Sequence, residues 1–256
     1  MKTFDHGSEN HLAVGGANIY YEVTGNSEGP VLVFLHGGFC TMETFNRVLP
    51  AFAKNYKIIG VDTRGHGKST LGSGVLTYER IEKDVEAVLE HLGVKTFSII
   101  GFSDGGIVAY RLAGSGKWNV ERVVTIGSEW STEHAQEKFP MYEKVTADFW
   151  IEKHPEDYEA YQRLNPEPDF ENFTKVLVGL WSDASSSGYP NELVDGISCP
   201  VLAIRGEGDF LVSSKSVQAL AERVASAQAL EIPEAAHEAH NEQPAVFVEA
   251  CEGFLR

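Results

Sequence analysis

A single α/β unit built on a mostly parallel sheet is the fold class that this 256-residue sequence predicts. Three observations predict it. Short apolar runs, too continuous to sit on a half-exposed face, recur from Pro30 onward: VLVFLHGG (31 to 38), KIIGVDTRG (57 to 65), FSIIGFSDGG (97 to 106), RVVTIGS (122 to 128) and PVLAIRGEGD (200 to 209). Amphipathic helical patterns alternate with them. The rhythm breaks once, between Trp130 and about Asp195, where aromatic residues are dense and no buried-strand pattern occurs.

Taken in order, the chain opens with an antiparallel hairpin, because two extended stretches from His11 to Thr24 flank Gly15-Gly16 and the second, NIYYEVT, is β-branched and aromatic. The parallel strands follow, joined by right-handed crossovers that cover both sheet faces with helices and leave ligands at the carboxyl ends of the strands. The clearest helix runs from Tyr78 to Leu92. Ile81, Val85, Val88, Leu89 and Leu92 share one stripe, Thr77 can cap the start and Gly93 can end it. Residues 1 to 129 and 196 to 256 are therefore expected to form the core, and 130 to 195 a helical cap emerging over the ligand end of the sheet. Most of the aromatic residues in that insertion should serve to pack it down.

Composition narrows the function classes. With 43% hydrophobic and 23% charged residues the chain is ordinary globular material. A formal charge of -16 repels phosphate backbones and anionic headgroups within a Debye length of ~8 Å, so neither nucleic acid nor a membrane surface is an expected partner. The start, MKTFDHGSENHL, lacks a signal peptide's apolar core, and no apolar run reaches the roughly 18 residues of a spanning helix, so a cytoplasmic protein is expected. Cys40, Cys199 and Cys251 are odd in number and widely spaced, reading as reduced packing residues.

The chemistry concentrates around Gly101-Phe102-Ser103-Asp104-Gly105, the one G-x-S-x-G in the chain. FSII enters it as a buried strand and GIVAYRLAG leaves it as a helix, the context of a strained turn that lifts a serine hydroxyl above the sheet. Side chains two residues either side would collide in such a turn, hence the glycines at 101 and 105. The following helix aims its free N-H groups and partial positive charge at the carbon under attack.

The GFSDGG turn, HGGF (36 to 39) after the first core strand, DTRGHGKS (62 to 69) after the next and HEAHNEQP (237 to 244) near the end are arranged as in the α/β-hydrolase superfamily, which the chain resembles over nearly its whole length. It is especially similar to the capped serine-hydrolase branch, which includes small bacterial esterases, proline iminopeptidase-like and biphenyl-hydrolase-like (valacyclovirase-like) enzymes. The resemblance implies the α/β-hydrolase fold, a catalytic triad, and no cofactor or metal. A serine hydroxyl needs an imidazole to take its proton, and the imidazole needs a carboxylate to fix its tautomer. The order serine, acid, histidine offers Asp209, at the end of VLAIRGEGD, and His237. Glu207 and Glu129 compete for the acid and His240 for the base. The family-like G-x-x-D and His-x-x-His-x-Glu-x-Pro patterns, the latter with Glu242 and Pro244, favour Asp209 and His237.

By the same resemblance the oxyanion hole is formed by the backbone N-H of Asp104 and of Gly38, with Phe39 as the next candidate and His36 structural. Asp104, Phe39 and Trp130 are the candidate substrate-binding residues. In biphenyl-hydrolase-like relatives the aspartate of the S-D-G-G string is associated with a substrate ammonium group, although it could simply complement the helix N-terminus. His6, His11, His91 and His154 fall in tails or on polar faces and are expected to be solvated. Gly67-Lys68-Ser69 is not a phosphate loop, since Asp62 stands where that motif needs glycine, and His237-Glu238-Ala239-His240 is one residue short of a zinc-protease signature. The expected activity is cofactor-independent hydrolysis of a small ester, amine-bearing or not, through an acyl-enzyme on Ser103. Amide or carbon-carbon cleavage, a lyase reaction on the same triad, or a ligand receptor of slow turnover are the alternatives.

Overall fold

A computed structural model describes residues 3–256 of the chain. Eight strands form one sheet in the order β1-β2-β4-β3-β5-β6-β7-β8: β1 (His11–Val14), β2 (Ala17–Gly25), β3 (Val31–Leu35), β4 (Lys57–Val61), β5 (Thr96–Phe102), β6 (Asn119–Ile126), β7 (Val201–Gly206) and β8 (Ala227–Ile232). β1 and β2 make an antiparallel hairpin, β2 runs antiparallel to β4, and every remaining pairing is parallel. The helices among the described residues are α1 (Leu49–Phe52), α2 (Tyr78–His91), α3 (Asp104–Gly114), α4 (Thr132–Ala135), α5 (Phe139–Tyr142), α6 (Ala147–Lys153), α7 (Pro155–Leu164), α8 (Phe170–Trp181), α9 (Ser214–Arg223), α10 (Ala239–Glu242) and α11 (Pro244–Phe254). None is long and apolar enough to cross a membrane.

The apolar runs became central strands because both of their faces are covered. Successive residues point to opposite faces, so Val33 and Leu35 join one core layer with Ile81, Val85 and Val88 of α2 and Ile107 and Leu112 of α3, while Leu32 and Phe34 join the other with Phe52 of α1 and Phe247 and Cys251 of α11. β8 lies at the edge and is more exposed, with Gln228, Ala229 and Glu231 facing solvent and Ile232 buried. In α2, Thr77 Oγ1 accepts from the Arg80 N-H at 3.1 Å, and Gly93 just past the end takes a φ of +68°, as the capping pattern requires.

Residues 132 to 196, between β6 and β7, contain five helices and two 3-10 turns and no strand. Their attachment to the sheet layer is partly aromatic: Phe39, in the loop after β3, stacks on Trp150 with centroids 4.0 Å apart and also meets Phe170, Phe173 and Trp181. It is partly polar. Asn165 donates to the carbonyls of Gly65 and Ser69, and Arg111 of α3 donates to that of Gly188.

One histidine departs from expectation. His11, His91 and His154 are exposed, but His6 is buried, with Nδ1 2.6 Å from Glu43 Oε1 and Nε2 2.7 Å from Asp62 Oδ2. With both nitrogens facing carboxylates the ring is an imidazolium. Burial opposes that charge, yet the bonds to Asp62 and Glu43 prevail and push its pKa up to about 9. His6 thereby clamps the N-terminal segment onto the loops that follow β3 and β4.

Candidate active site

Ser103 stands between β5 and α3 with φ 50° and ψ -116°, a conformation that a non-glycine residue holds only under constraint. The constraint is steric closeness on either side of it. A Cβ on Gly105 would lie 2.0 Å from the Leu35 carbonyl oxygen, and one on Gly101 would lie 2.5 Å from that of Gly105. The elbow thus presses directly on the carboxyl end of β3, and the Ser103 hydroxyl projects above the sheet edge, half-buried.

Two other strand ends converge on it. His237, in the loop after β8, has Nε2 3.1 Å from Ser103 Oγ, while its Nδ1 lies 3.1 Å from both carboxylate oxygens of Asp209, beyond the end of β7. Residues 134 positions apart in sequence therefore meet within hydrogen-bonding reach. Gly127, at the end of β6, passes so close that a Cβ there would fall 2.9 Å from His237 Nδ1 and 3.1 Å from Asp209 Oδ2, so only glycine leaves the pair room. Glu242 holds the histidine loop from behind, accepting from the N-H groups of Ala236 and Glu238.

Asp209 is held ionised. Burial by itself would raise its pKa, but the bond to His237, the histidine's charge and the N-H groups of Val212 and Leu211 outweigh it and hold the carboxyl below its ordinary value. A carboxylate facing Nδ1 fixes the imidazole with its proton there and leaves Nε2 to accept from a hydroxyl. The competitors are elsewhere: Glu207 is exposed, and Glu129 is buried against Ser216 and the Trp130 N-H, with burial lifting its pKa to about 7. His240 is buried behind Phe102, its Nδ1 without a partner among the described residues, and burial pushes its pKa down to about 3.

The backbone N-H groups of Gly38 and Asp104 have no hydrogen-bond partner among the described residues, and the two residues are adjacent: a Cβ on Gly38 would lie 2.8 Å from Asp104 Oδ2. The Phe39 N-H differs from these two. It is donated to His66 Nε2 at 3.2 Å, across 27 residues of sequence. The Phe39 ring remains on the site side of the structure, within the aromatic cluster around Trp150 and Trp181.

Trp130, the other candidate substrate contact, is buried. Its indole N-H donates to the Ser216 carbonyl at 2.9 Å and its face carries the Arg223 guanidinium, so it fastens the start of the helical segment to α9. Asp104 is buried, and Tyr78 Oη donates to its Oδ1 at 2.7 Å while Trp181 Nε1 donates to both oxygens at 3.0 to 3.1 Å. Burial raises its pKa, and the bonds from Trp181 and Tyr78 and the nearby His237 oppose the rise. Nothing in the sequence pairs positions 78, 104 and 181, so Tyr78 and Trp181 were visible only as a helix start and one aromatic residue among many.

Comparisons with known proteins bear on the family and the fold. The chain is 25% identical to 3-oxoadipate enol-lactonase 2 of Acinetobacter baylyi, over 92% of each chain. It is 26% identical to the pimeloyl-(acyl-carrier protein) methyl ester esterase of Aeromonas hydrophila, over 89% of this chain and 96% of the other. The crystal structure of a hydrolase from Pseudomonas aeruginosa PA01 superposes with a TM-score of 0.78 at 26% identity, covering 98% of this chain and 99% of that one. The alpha/beta hydrolase family model matches residues 32–250, which run from the first core strand through the elbow to the histidine loop and most of α11; by that match and by its sheet, this chain belongs to the alpha/beta hydrolase family.

Proposed function

We propose that the protein is a serine hydrolase of small carboxylic esters that works through an acyl-enzyme on Ser103. The observation that carries the reading is the unbroken line from Asp209 through His237 to Ser103, each contact at 3.1 Å, beside two unpartnered backbone N-H groups. Relatives whose names denote ester and lactone cleavage support the bond class. In this reading His237 Nε2 takes the hydroxyl proton as Ser103 Oγ bonds to the carbonyl carbon, and the oxyanion is held by the N-H groups of Gly38 and Asp104. The tetrahedral carbon then expels the alkoxide, which leaves with that proton. Water, deprotonated in turn by His237, attacks the acyl-enzyme, and its proton returns to Ser103 as the acid departs. The helices between β6 and β7 act as a cap that shapes the pocket, with core segments 1 to 129 and 196 to 256 beneath it.

A fluorophosphonate probe tests the nucleophile. Intact-mass detection should find one adduct per chain on Ser103 and none in Ser103→Ala, and short p-nitrophenyl esters should be turned over by the unlabelled wild-type chain but neither by Ser103→Ala nor by the labelled protein. A wild-type chain that stays unmodified would overturn the reading.

Asp104 supports a narrower substrate class. Its carboxylate is buried beside the proposed oxyanion donors, yet the groups that bond it, Tyr78 and Trp181, are neutral. A substrate ammonium group would supply the missing cation where water is scarce, so an aminoacyl ester should be preferred over its uncharged analogue by at least about tenfold in kcat/KM. Asp104→Asn should erase most of that ratio while retaining turnover of the uncharged ester. Equal rates for the two esters with the native aspartate would refute it.

A further inference from the structure

Two buried histidines in the loops after β3 and β4 form one hydrogen-bonded relay with the turn that carries Gly38. Phe39 N-H is a donor, so His66 Nε2, 3.2 Å away, accepts, and the His66 proton sits on Nδ1. That Nδ1 lies 3.0 Å from Thr63 Oγ1 and 3.2 Å from the Arg64 carbonyl oxygen. Thr63 N-H is likewise a donor, to His36 Nε2 at 2.9 Å, which puts the His36 proton on Nδ1, where it donates to the Gly37 carbonyl at 2.8 Å. The Thr63 hydroxyl, 3.3 Å from His36 Nε2, joins the two rings, which meet edge to face with centroids 4.8 Å apart. Both rings are neutral, since burial drives both pKa values down, further for His66 with His36 beside it.

The consequence falls on one peptide plane. The Gly37 carbonyl and the Gly38 N-H belong to the same planar trans unit, so a donor fixed on the carbonyl fixes the opposite direction of the N-H. The next peptide is fixed by His66 through the Phe39 N-H. Phe39 itself takes φ 58°, which a side-chain-bearing residue adopts only where its surroundings hold it, and its ring is caged by Trp150, Phe170, Phe173 and Trp181. We propose that His66, with Thr63 and His36, is a positioning residue that holds the Gly38 N-H in its oxyanion-binding direction. The assignment rests on the proposed acyl-enzyme mechanism. It adds a group that touches no reacting atom and that acts across the loop from DTRGHGKS, a stretch to which the sequence assigned no chemistry.

The test is His66→Ala, assayed on a p-nitrophenyl ester with rates divided by the number of Ser103 sites that a fluorophosphonate titrates, so that loss of folded protein does not count. Turnover per titrated site should fall ten- to a hundredfold with KM within about threefold, because the donor is used in the transition state and not in ground-state binding. The inhibition constant of phenylboronic acid, whose serine adduct is tetrahedral, should rise by the same factor. His66→Gln, whose amide oxygen can accept from Phe39, should recover part of both. If His66→Ala does not fold, Thr63→Val removes the hydroxyl between the rings at nearly constant shape and should lower turnover per site by threefold or more. Turnover per site and boronate inhibition unchanged in these variants, with wild type active, would overturn the assignment alone. A wild-type chain with no adduct on Ser103 would overturn the underlying mechanism, and the assignment with it.

Discussion

Asp209→Asn is expected to lower kcat by about four orders of magnitude while KM on the same short ester stays within a few-fold. The size follows from how the carboxylate is held. Oδ1 already accepts from the N-H groups of Leu211 and Val212 at 2.9 and 3.1 Å, so in the asparagine variant the amide oxygen takes that position and the NH2 group turns to His237. An NH2 facing Nδ1 forces that nitrogen to accept, moves the imidazole proton to Nε2, and leaves Ser103 opposite a donor. The fold should survive, because the backbone bonds and the volume are kept. Steady-state kinetics together with the fluorophosphonate labelling rate check this. A loss smaller than about tenfold would mean that another carboxylate, such as Glu129, orients the base.

The second large effect concerns stability. His6 has a folded pKa of about 9 against an ordinary value of 6.5, so its protonated form favours the folded state. That contribution is complete below the unfolded value and is lost as pH rises through the folded one, which sets the window between 6.5 and about 9. A gap of that width corresponds to roughly 3 kcal/mol, or about 6 to 12 °C in Tm for a domain of this size. His6→Ala should therefore melt well below wild type at pH 6, the more so because it leaves Asp62 buried without its cation, and the two melting curves should converge as pH approaches 9. Melting followed by circular dichroism at several pH values between 6 and 9 decides the matter. A difference that stays constant across the window would show that the buried imidazolium is not its source.

The sheet was legible from one chain because strands buried on both faces must be apolar without interruption, and VLVFL, KIIGV and VLAIRG are. The elbow was legible for a steric reason, the two glycines that its tight approach demands. His6 was not. Its partners stand at 43 and 62, and only the folded chain brings an N-terminal tail against them. The partner of the Phe39 N-H was hidden for a similar reason, since the group that accepts from it comes from another loop. Trp130 carries no mark in its neighbours of where its N-H goes, and the packing of 132 to 196 depends on aromatic contacts that periodicity does not encode. Local rules reach what one segment dictates to itself, and the long-range pairs escape them.

The base arrives with the last strand and helix of the sheet, whereas the strained serine turn lies between the fifth strand and its helix. In the proposed mechanism a chain made only as far as that turn has no proton acceptor for Ser103, since His237 follows it by 134 residues. On the same reading, the proposed nucleophile becomes reactive only when the carboxyl-terminal unit is in place beside it.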